Sequence, residues 1–358
     1  MSTGRPRIVF IDHSFHKVTR SSAFFTALLS EWADVLTIDS ESWRRGANVS
    51  AARIDAAGAD VAVFWQTLPD PGELFKLRTP AVWVPMYDSA VHSPEVFWRV
   101  LARTGVRVLS FCRALSATAR RHGVPVSDYT YYPDPALVPA RRTGGDGLRL
   151  FFWDRGYTRF DLLRATVDPA DVGRTTVRRA PNPGLSASPV TAQDVRDYKI
   201  AFCDGVLGRA QYLDLLAGCD VFFAPRRYEG LGMTFLEALA MGLAVVAADS
   251  PTMNEYITDG TDGFLFDPGR PARVDLRTAR EAGERAREAM RRGRAEWLRS
   301  AGGLRADLLA APPAPAPPSR GLLLLAALLT AGERAKTLVP AGRRAALTEA
   351  VRRRTTGS

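Results

Sequence analysis

The sequence predicts an α/β protein of two doubly wound domains, each built on a parallel β-sheet. Short apolar segments rich in β-branched residues alternate with segments of helical periodicity, a pattern typical of parallel strands covered by helices on both faces. A Pro/Gly-rich stretch interrupts this alternation, and the pattern restarts after it. At 358 residues, 46% hydrophobic and 24% charged, the chain is long enough to form two separate cores.

The first domain is predicted over residues 1–142. Buried strands are predicted where short apolar runs end at polar or turn residues: Arg7–Asp12, Val35–Ile38, Val61–Trp65, Ala81–Met86, Val106–Cys112 and Tyr129–Tyr132. Helical spacing of apolar residues predicts helices at Ser21–Glu31 and Arg113–His122.

The second domain is predicted over residues 143–310, with its boundary inside a linker that contains three prolines and three glycines. Its predicted strands are Leu148–Trp153, Thr175–Arg179, Lys199–Cys203, Val221–Ala224, Leu243–Ala248 and Gly263–Phe266. Its predicted helices are Arg159–Val167, Gly208–Ala217, Thr234–Met241 and the Arg/Glu/Ala-rich stretch Arg270–Leu309.

Residues 311–358 form a third region, a Pro-rich spacer followed by a basic helical tail. The spacer Ala311–Ser319 cannot continue a helix, and residues 320–358 hold eight basic and two acidic groups. Such a tail suits an anionic membrane surface or a polyanion, or is a solvated end. Leu322–Leu329, between Arg320 and Arg334, resembles an interfacial helix, and the competing interpretation is a helix packed on the protein itself.

Composition argues against several other classes of protein. The longest apolar run, Gly321–Thr330, is far shorter than the roughly 20 residues of a spanning helix, and no apolar leader precedes the first strand. We therefore expect a cytoplasmic protein that could work at the inner face of the membrane. Three widely spaced cysteines predict neither a disulfide framework nor a zinc site. The net charge of +10 raises nucleic-acid binding as a further class, which we do not expect because much of the excess lies in the tail.

The chemically informative stretch is a strand, loop and helix between Asp220 and Met241. The loop Arg226–Gly232 follows the carboxyl end of a predicted strand, where open α/β sheets bind ligands. Its glycines permit close backbone approach, and the next helix N-terminus suits a diphosphate. Glu229 lies in the loop before this helix and Glu237 about one turn into it. A carboxylate can accept two hydrogen bonds from a sugar or ribose diol. A solvent-facing Glu237 is the alternative.

The segment from Glu229 to Val246 resembles the E-x7-E block of the retaining GT-B glycosyltransferases, family four. The flanking stretches 204–220 and 254–266 are also similar to that family, in the same order. The resemblance implies two Rossmann-like domains that face a cleft, with the acceptor on the first and a nucleotide-sugar on the second. It implies a retaining enzyme whose acceptor attacks from the face that the diphosphate leaves.

The resemblance also implies roles for particular residues. Glu229 would contact the donor sugar hydroxyls and Glu237 the nucleotide ribose. Arg155 and Arg159 would stabilise the departing diphosphate, although an ordinary surface position remains open for both. The remaining donor-binding candidates are backbone groups: Gly230, Leu231 and Gly232 for the sugar, Met233 and Thr234 for the phosphates, and Gly205 and Val206 for the base.

No Asp-x-Asp pair occurs in the sequence, so we predict transfer without a metal and with no cofactor besides the nucleotide-sugar co-substrate. The sequence departs from the family at Ala244, where proline is usual, at Ser250-Pro251, where two glycines are usual, and in the loop after the first strand, which has no glycine. The acceptor is therefore the less defined partner: a glycan, a lipid-linked acceptor or a small molecule. Candidate acceptor-side residues are His13, His16, Lys17, Asp88 and His92.

The function that these observations favour is retaining glycosyl transfer from a nucleotide-sugar. The alternative is a non-catalytic subunit that binds a nucleotide-sugar or glycan on the same fold. A glycosidase with Glu229 and Glu237 as its carboxylate pair is disfavoured, because a helix N-terminus suits a phosphate.

Overall fold

The computed structural model describes residues 4–42, 48–156, 160–181, 185–205, 207–312 and 318–338. They divide into two compact units. Among the described residues, the first unit takes those up to Thr130 together with those from Arg299 on, and the second takes Tyr131–Leu298.

This division differs from the predicted domain bounds for two physical reasons. The Pro/Gly-rich linker is bonded to the second unit, since the amides of Arg141 and Arg142 donate to the carbonyls of Met241 and Ala217, both at 2.7 Å. The end of the predicted second domain belongs to the first unit, where the Tyr129 hydroxyl donates to the Asp307 carboxylate at 2.7 Å.

The first unit is built on a six-stranded sheet, all of whose pairings are parallel, in the order β2-β1-β3-β4-β5-β6. The strands are β1 Arg7–His13, β2 Asp34–Ser40, β3 Val61–Trp65, β4 Ala81–Val84, β5 Arg107–Ser110 and β6 Val126–Asp128. Every residue of β3 is buried, as expected of a strand covered on both faces.

The helices of the first unit are mostly short. Before the second unit they are α1 His16–Thr19, α2 Ala23–Ser30, α3 Ala51–Asp55, α4 Pro71–Leu74, α5 Tyr87–Ala90, α6 Glu95–Leu101 and α7 Arg113–Arg121. Two more come from the end of the chain, α13 Leu304–Leu309 and α14 Arg320–Leu338. Helix α14 packs against α4 and α6.

The second unit repeats the architecture with a second six-stranded parallel sheet, in the order β12-β11-β10-β7-β8-β9. Its strands are β7 Leu148–Asp154, β8 Val172–Arg179, β9 Ile200–Asp204, β10 Val221–Ala224, β11 Ala244–Ala248 and β12 Phe264–Phe266. Its helices are α8 Phe160–Thr166, α9 Ala192–Asp197, α10 Arg209–Ala217, α11 Met233–Met241 and α12 Ala279–Ala301. The two sheets confirm the predicted α/β class.

Two predicted elements are wrong. The predicted strand Tyr129–Tyr132 is not a strand, because the edge strand β6 ends before it and Tyr131 instead packs edge-on against Trp297, with ring centroids 5.4 Å apart. The predicted helix Arg270–Leu309 begins only at Ala279, after a turn in which the Arg277 amide donates to the Asp275 carboxylate instead of to a helical carbonyl. It is also interrupted between α12 and α13, where Gly302 and Gly303 weaken helix continuation.

No helix among the described residues has the length and apolarity that crossing a membrane requires.

Candidate functional site

The candidate site of the second unit lies where β10 ends and α11 begins. Strand β10 is fully buried and sits between β11 and β7, so the loop that follows it emerges near the middle of the sheet. That loop carries Glu229, whose amide donates to the carbonyl of Pro251 at 3.2 Å. The position agrees with the rule that open α/β sheets bind ligands beyond the carboxyl ends of their strands.

Gly232 starts α11 and has to be glycine for two reasons. Its φ of +74° lies in the left-handed region, and a Cβ there would come within 2.5 Å of the buried Phe235 ring. The first amides to bond within the helix are those of Phe235 and Leu236, which both donate to the Gly232 carbonyl at 3.1 and 3.2 Å. The preceding amides of Met233 and Thr234 therefore lie outside the helical ladder, at the positive end of the helix dipole.

Glu229 is nearly buried and is held by an arginine of its own loop. Its side chain accepts from Arg226 Nη1 at 2.7 Å, and only 9% of the residue is exposed. A carboxylate held this way is oriented before a ligand arrives, which reduces the entropy lost on binding.

Glu237 is buried as well, with 5% of the residue exposed, so the solvent-facing alternative is wrong. Burial raises the pKa of its carboxyl, and the charge of Arg209 opposes that rise. Arg209 Nη1 donates to Glu237 Oε1 at 2.8 Å from α10, while the arginine itself is largely exposed. Arg209 therefore offsets the cost of keeping a charged carboxylate buried beside a ligand.

Tyr212 connects Glu237 with the basic residues after β7. This tyrosine of α10 is buried, and burial, followed by the negative charge of Glu237, raises the pKa of its hydroxyl. The charges of Arg178, Arg209 and Arg155 act on the same hydroxyl. Arg155 also stacks over Trp153, with its guanidinium carbon 5.2 Å from the ring centroid. The structure thus brings Arg155 and Glu237 to the same part of the second unit.

The structure gives fewer contacts for the other candidate donor-binding residues. Arg159 and Val206 lie outside the described residues. Gly205 follows β9 with a φ of +89° and open space where a side chain would stand. Gly230 and Leu231 lie in the loop beside Glu229, with Leu231 buried. The roles of all these residues stay predictions.

Sequence reasoning missed four residues of this region: Arg178, Arg209, Tyr212 and Arg226. Arg178-Arg179 closes the predicted strand Thr175–Arg179, so a basic pair at a carboxyl end was the available signal. Arg226 lies three residues before Glu229 in the same loop, and that spacing was its signal. Nothing in the local pattern marks Arg209 or Tyr212, because their roles depend on which distant side chains fold against them.

A surface cavity of about 240 Å³ lies elsewhere in the second unit. Its lining includes Gly147, Leu148 and Asp171, which stand at the amino ends of β7 and β8. This cavity is therefore at the opposite edge of the sheet from Glu229 and Glu237, and we do not assign the donor to it.

In the first unit, two acceptor-side candidates gather around Asp12 at the end of β1. His16 Nδ1 lies 2.5 Å from Asp12 Oδ1, and the Ser22 hydroxyl donates to Asp12 Oδ2 at 2.6 Å. The rings of His13 and His16 have centroids 3.6 Å apart. Burial, and then the neighbouring His16, lower the pKa of His13, which favours its neutral form. The ligand atoms of Asp12, His13 and His16 lie within 4.8 Å of one another, close enough to hold a metal ion.

The other three acceptor-side candidates do not join this cluster. Lys17 binds Asp39 at 2.6 Å, with two thirds of the lysine side chain exposed. Asp88 lies on α5 and His92 just after it, beyond β4, and β3 separates β4 from β1 in the sheet.

Comparison with known proteins finds a family match over the stretch that contains this site. Residues 204–280 match the family model described as "Glycosyl transferases group 1", and this range includes Glu229, Glu237 and α11. The lipopolysaccharide core biosynthesis mannosyltransferase LpsB of Rhizobium meliloti is 34% identical over 95 residues, which is 26% of this chain and 26% of that protein. The matched stretch thus spans about a quarter of this curated relative.

Solved structures resemble the chain over most of its length. HepE of Anabaena, in complex with UDP and glucose, has a TM-score of 0.57 at 16% identity and covers 84% of this chain and 100% of its own. A glycosyltransferase from Rickettsia africae has a TM-score of 0.59 at 11% identity and covers 86% of this chain and 99% of its own. These likenesses show that the fold is GT-B, as predicted.

Proposed function

We propose that this chain, a GT-B protein with a group 1 glycosyltransferase segment, transfers a sugar from a nucleotide-sugar to an acceptor with retention of anomeric configuration. The observation that carries the proposal is the start of α11. The buried Glu229 lies just before this glycine-initiated helix, the buried Glu237 lies in its second turn, and the first amides of the helix lie outside the ladder. Free amides at a helix N-terminus can bind a diphosphate, and the two carboxylates can accept hydrogen bonds from sugar and ribose hydroxyls. A nucleotide-sugar contains all of these groups.

In this proposal each group acts on one part of the donor. The amides of Met233 and Thr234 bind the diphosphate, Glu237 binds the ribose diol, and Glu229, held by Arg226, binds hydroxyls of the sugar. Arg155 stabilises the negative charge that grows on the diphosphate as the sugar–oxygen bond breaks. The relative that holds UDP and glucose supports a nucleotide-sugar donor, and the name of LpsB supports a role in polysaccharide biosynthesis.

The attack takes place on the face from which the diphosphate departs. The acceptor hydroxyl bonds to the anomeric carbon as the bond to the diphosphate breaks, and a departing phosphate oxygen takes the hydroxyl proton. This route needs no side-chain nucleophile. It also needs no metal, because Arg155 provides positive charge to the leaving group and the sequence has no Asp-x-Asp pair.

We further propose that the protein works at the cytoplasmic face of a membrane. Helix α14 packs against α4 and α6, and its Ala326 is buried. One side of this helix is therefore packed on the protein itself. Its other side exposes four leucines: Leu323, Leu324, Leu325 and Leu328. An apolar helical face followed by a basic sequence suits an anionic bilayer. Flotation with vesicles containing anionic lipid tests this, and equal binding by a variant with these leucines changed to serine contradicts it.

The donor experiment is a thermal-shift panel of nucleoside diphosphates and nucleotide-sugars. A ligand at 100 times its Kd adds about 2.7 kcal/mol of stability. The best ligand is then used to measure nucleotide release, with Glu229→Ala as the test and Glu288→Ala as the control, since Glu288 is exposed on α12. We expect Glu229→Ala alone to lose turnover.

Two results of this experiment would reject the proposal. Binding without turnover in the presence of glycan and lipid-linked acceptors supports the alternative of a non-catalytic binding subunit. Sugar release from a plain glycoside, with no nucleotide present, supports a hydrolase.

A further inference from the structure

Arg178, near the carboxyl end of β8, is a buried cation without a counter-charge. Only 7% of the residue is exposed, and its Nε is buried without a hydrogen-bond partner. Within the part of the chain that the structure describes, Arg178 forms neither an ion pair nor a hydrogen bond. Arginine remains charged in proteins, so an unpaired buried guanidinium is costly.

Two aromatic rings surround this guanidinium. Its central carbon lies 4.2 Å from the Trp153 ring centroid and 5.4 Å from that of Tyr212. Trp153 and Arg178 are paired in register on neighbouring strands, so they project from the same face of the sheet. The indole Nε1 of Trp153 and the hydroxyl of Tyr212 are also buried without a partner among the described residues. Three polar side chains of one cluster therefore have unused hydrogen-bonding groups.

A second cation borders the same cluster. Arg155 stacks on Trp153 as well, and its charge adds to the burial that lowers the pKa of Arg178. Glu237, the acidic side chain whose charge acts on Tyr212, is already bonded to Arg209. Trp153 and Arg155 are both half-buried, so the cluster borders the surface there. The unpaired charge of Arg178 thus lies directly behind two partly exposed side chains.

We propose that Arg178 binds a phosphate of the nucleotide donor, with Trp153 and Tyr212 holding its guanidinium in place. This inference rests on the proposed function. The sheet order places β8 between β7, which leads to Arg155, and β9, which leads to Gly205. Arg155 is predicted to contact the diphosphate, and Gly205 is predicted to lie near the base. Arg178, on the strand between them, would therefore contact the phosphate that is joined to the nucleoside.

The test compares Arg178→Gln with Arg179→Gln. Arg179 is the next residue on the same strand, but 39% of its side chain is exposed and it pairs with Asp204 at 2.6 Å. Calorimetric titration uses inorganic pyrophosphate and whichever nucleoside diphosphate (UDP, GDP or ADP) binds the wild type best. We expect Arg178→Gln to weaken both ligands by about 10- to 100-fold, the range for a hydrogen bond to a charged group. Arg179→Gln should change neither by more than about threefold, as befits a solvent-exposed pair.

A second readout separates ligand binding from a structural role. Without ligand, Arg178→Gln should melt no lower than the wild type, because it removes a buried charge that has no partner. A lower melting temperature with unchanged affinities would show that Arg178 only packs against the rings, and would overturn the proposal. Arg178→Lys should recover part of the pyrophosphate affinity, because it restores the charge.

The remaining outcomes are also decisive. Loss of nucleoside diphosphate binding with unchanged pyrophosphate binding would assign Arg178 to the base, and would overturn the phosphate assignment. Pyrophosphate binding that depends on Arg178, in a wild type that binds no nucleotide, would support the anion site while rejecting the proposed function. A wild type that does not bind pyrophosphate would reject the inference itself.

Discussion

Gly232→Ala tests whether the start of α11 depends on a residue without a side chain. The backbone there has a φ of +74°, and a left-handed conformation costs an L-residue about 1–2 kcal/mol. The new methyl group would also enter the space of Phe235, a ring with 1% of its surface exposed. Overpacking of this kind costs about 1–3 kcal/mol more. We therefore expect the free energy of unfolding to fall by about 2–5 kcal/mol.

Gly260→Ala is the matched control within the same unit. Gly260 has a φ of +68°, close to that of Gly232, but a Cβ there meets nothing within 4 Å. Its cost should be the backbone part alone, about 1–2 kcal/mol. Urea unfolding of both variants measures the difference. In a thermal scan, a difference of about 2 kcal/mol corresponds to about 4–8 °C for a unit of this size.

The same pair of variants tests the link between Gly232 and ligand binding. Displacement of Phe235 should move the amides of Met233 and Thr234, so Gly232→Ala should weaken nucleoside diphosphate binding and Gly260→Ala should not. If both variants lost the same stability, the steric argument would be refuted. If Gly232→Ala bound nucleotide normally, the start of α11 would not be the phosphate site.

Three further predictions concern charge. Glu237→Gln removes the buried charge but retains the shape of the side chain. Nucleotide release should therefore slow by at least about tenfold, while the melting temperature should stay the same or rise. A lower melting temperature with normal turnover would contradict this prediction. The ion pair with Arg164 lowers the pKa of Asp194 to about 2. Because the pKa of an unfolded aspartate is near 4, this pair contributes its full stability above about pH 4 and loses it as the pH falls through about 2. Asp194→Asn should therefore cost about 2 kcal/mol in urea unfolding at pH 7 and almost nothing at pH 2, and an equal cost at both would count against this pairing. Dialysis against EDTA should leave transfer unchanged; a loss that Mg²⁺ or Zn²⁺ reverses would refute metal-independent transfer and direct attention to Asp12, His13 and His16.

Much of the fold could be predicted from the sequence because buried parallel strands have a strong local signature. Val61–Trp65 and Val221–Ala224 were predicted with the bounds that the structure has. The aromatic run from Tyr129 to Tyr132 has an equal local preference for a strand, yet Tyr131 packs against Trp297, which lies far along the chain. A partner at that sequence distance leaves no signal in a local pattern.

The sequence by itself determined the class of fold and located Glu229 and Glu237 at the start of a glycine-initiated helix, because strand, loop and helix there are contiguous in the chain. Only the tertiary structure decided which of the 48 basic residues pairs with which group. Arg209 meets Glu237, 28 residues further along the chain, and Arg178 meets two rings and no carboxylate. The physical reason is that the energy of a charge depends on its burial and its neighbours, and both are set when distant segments pack together.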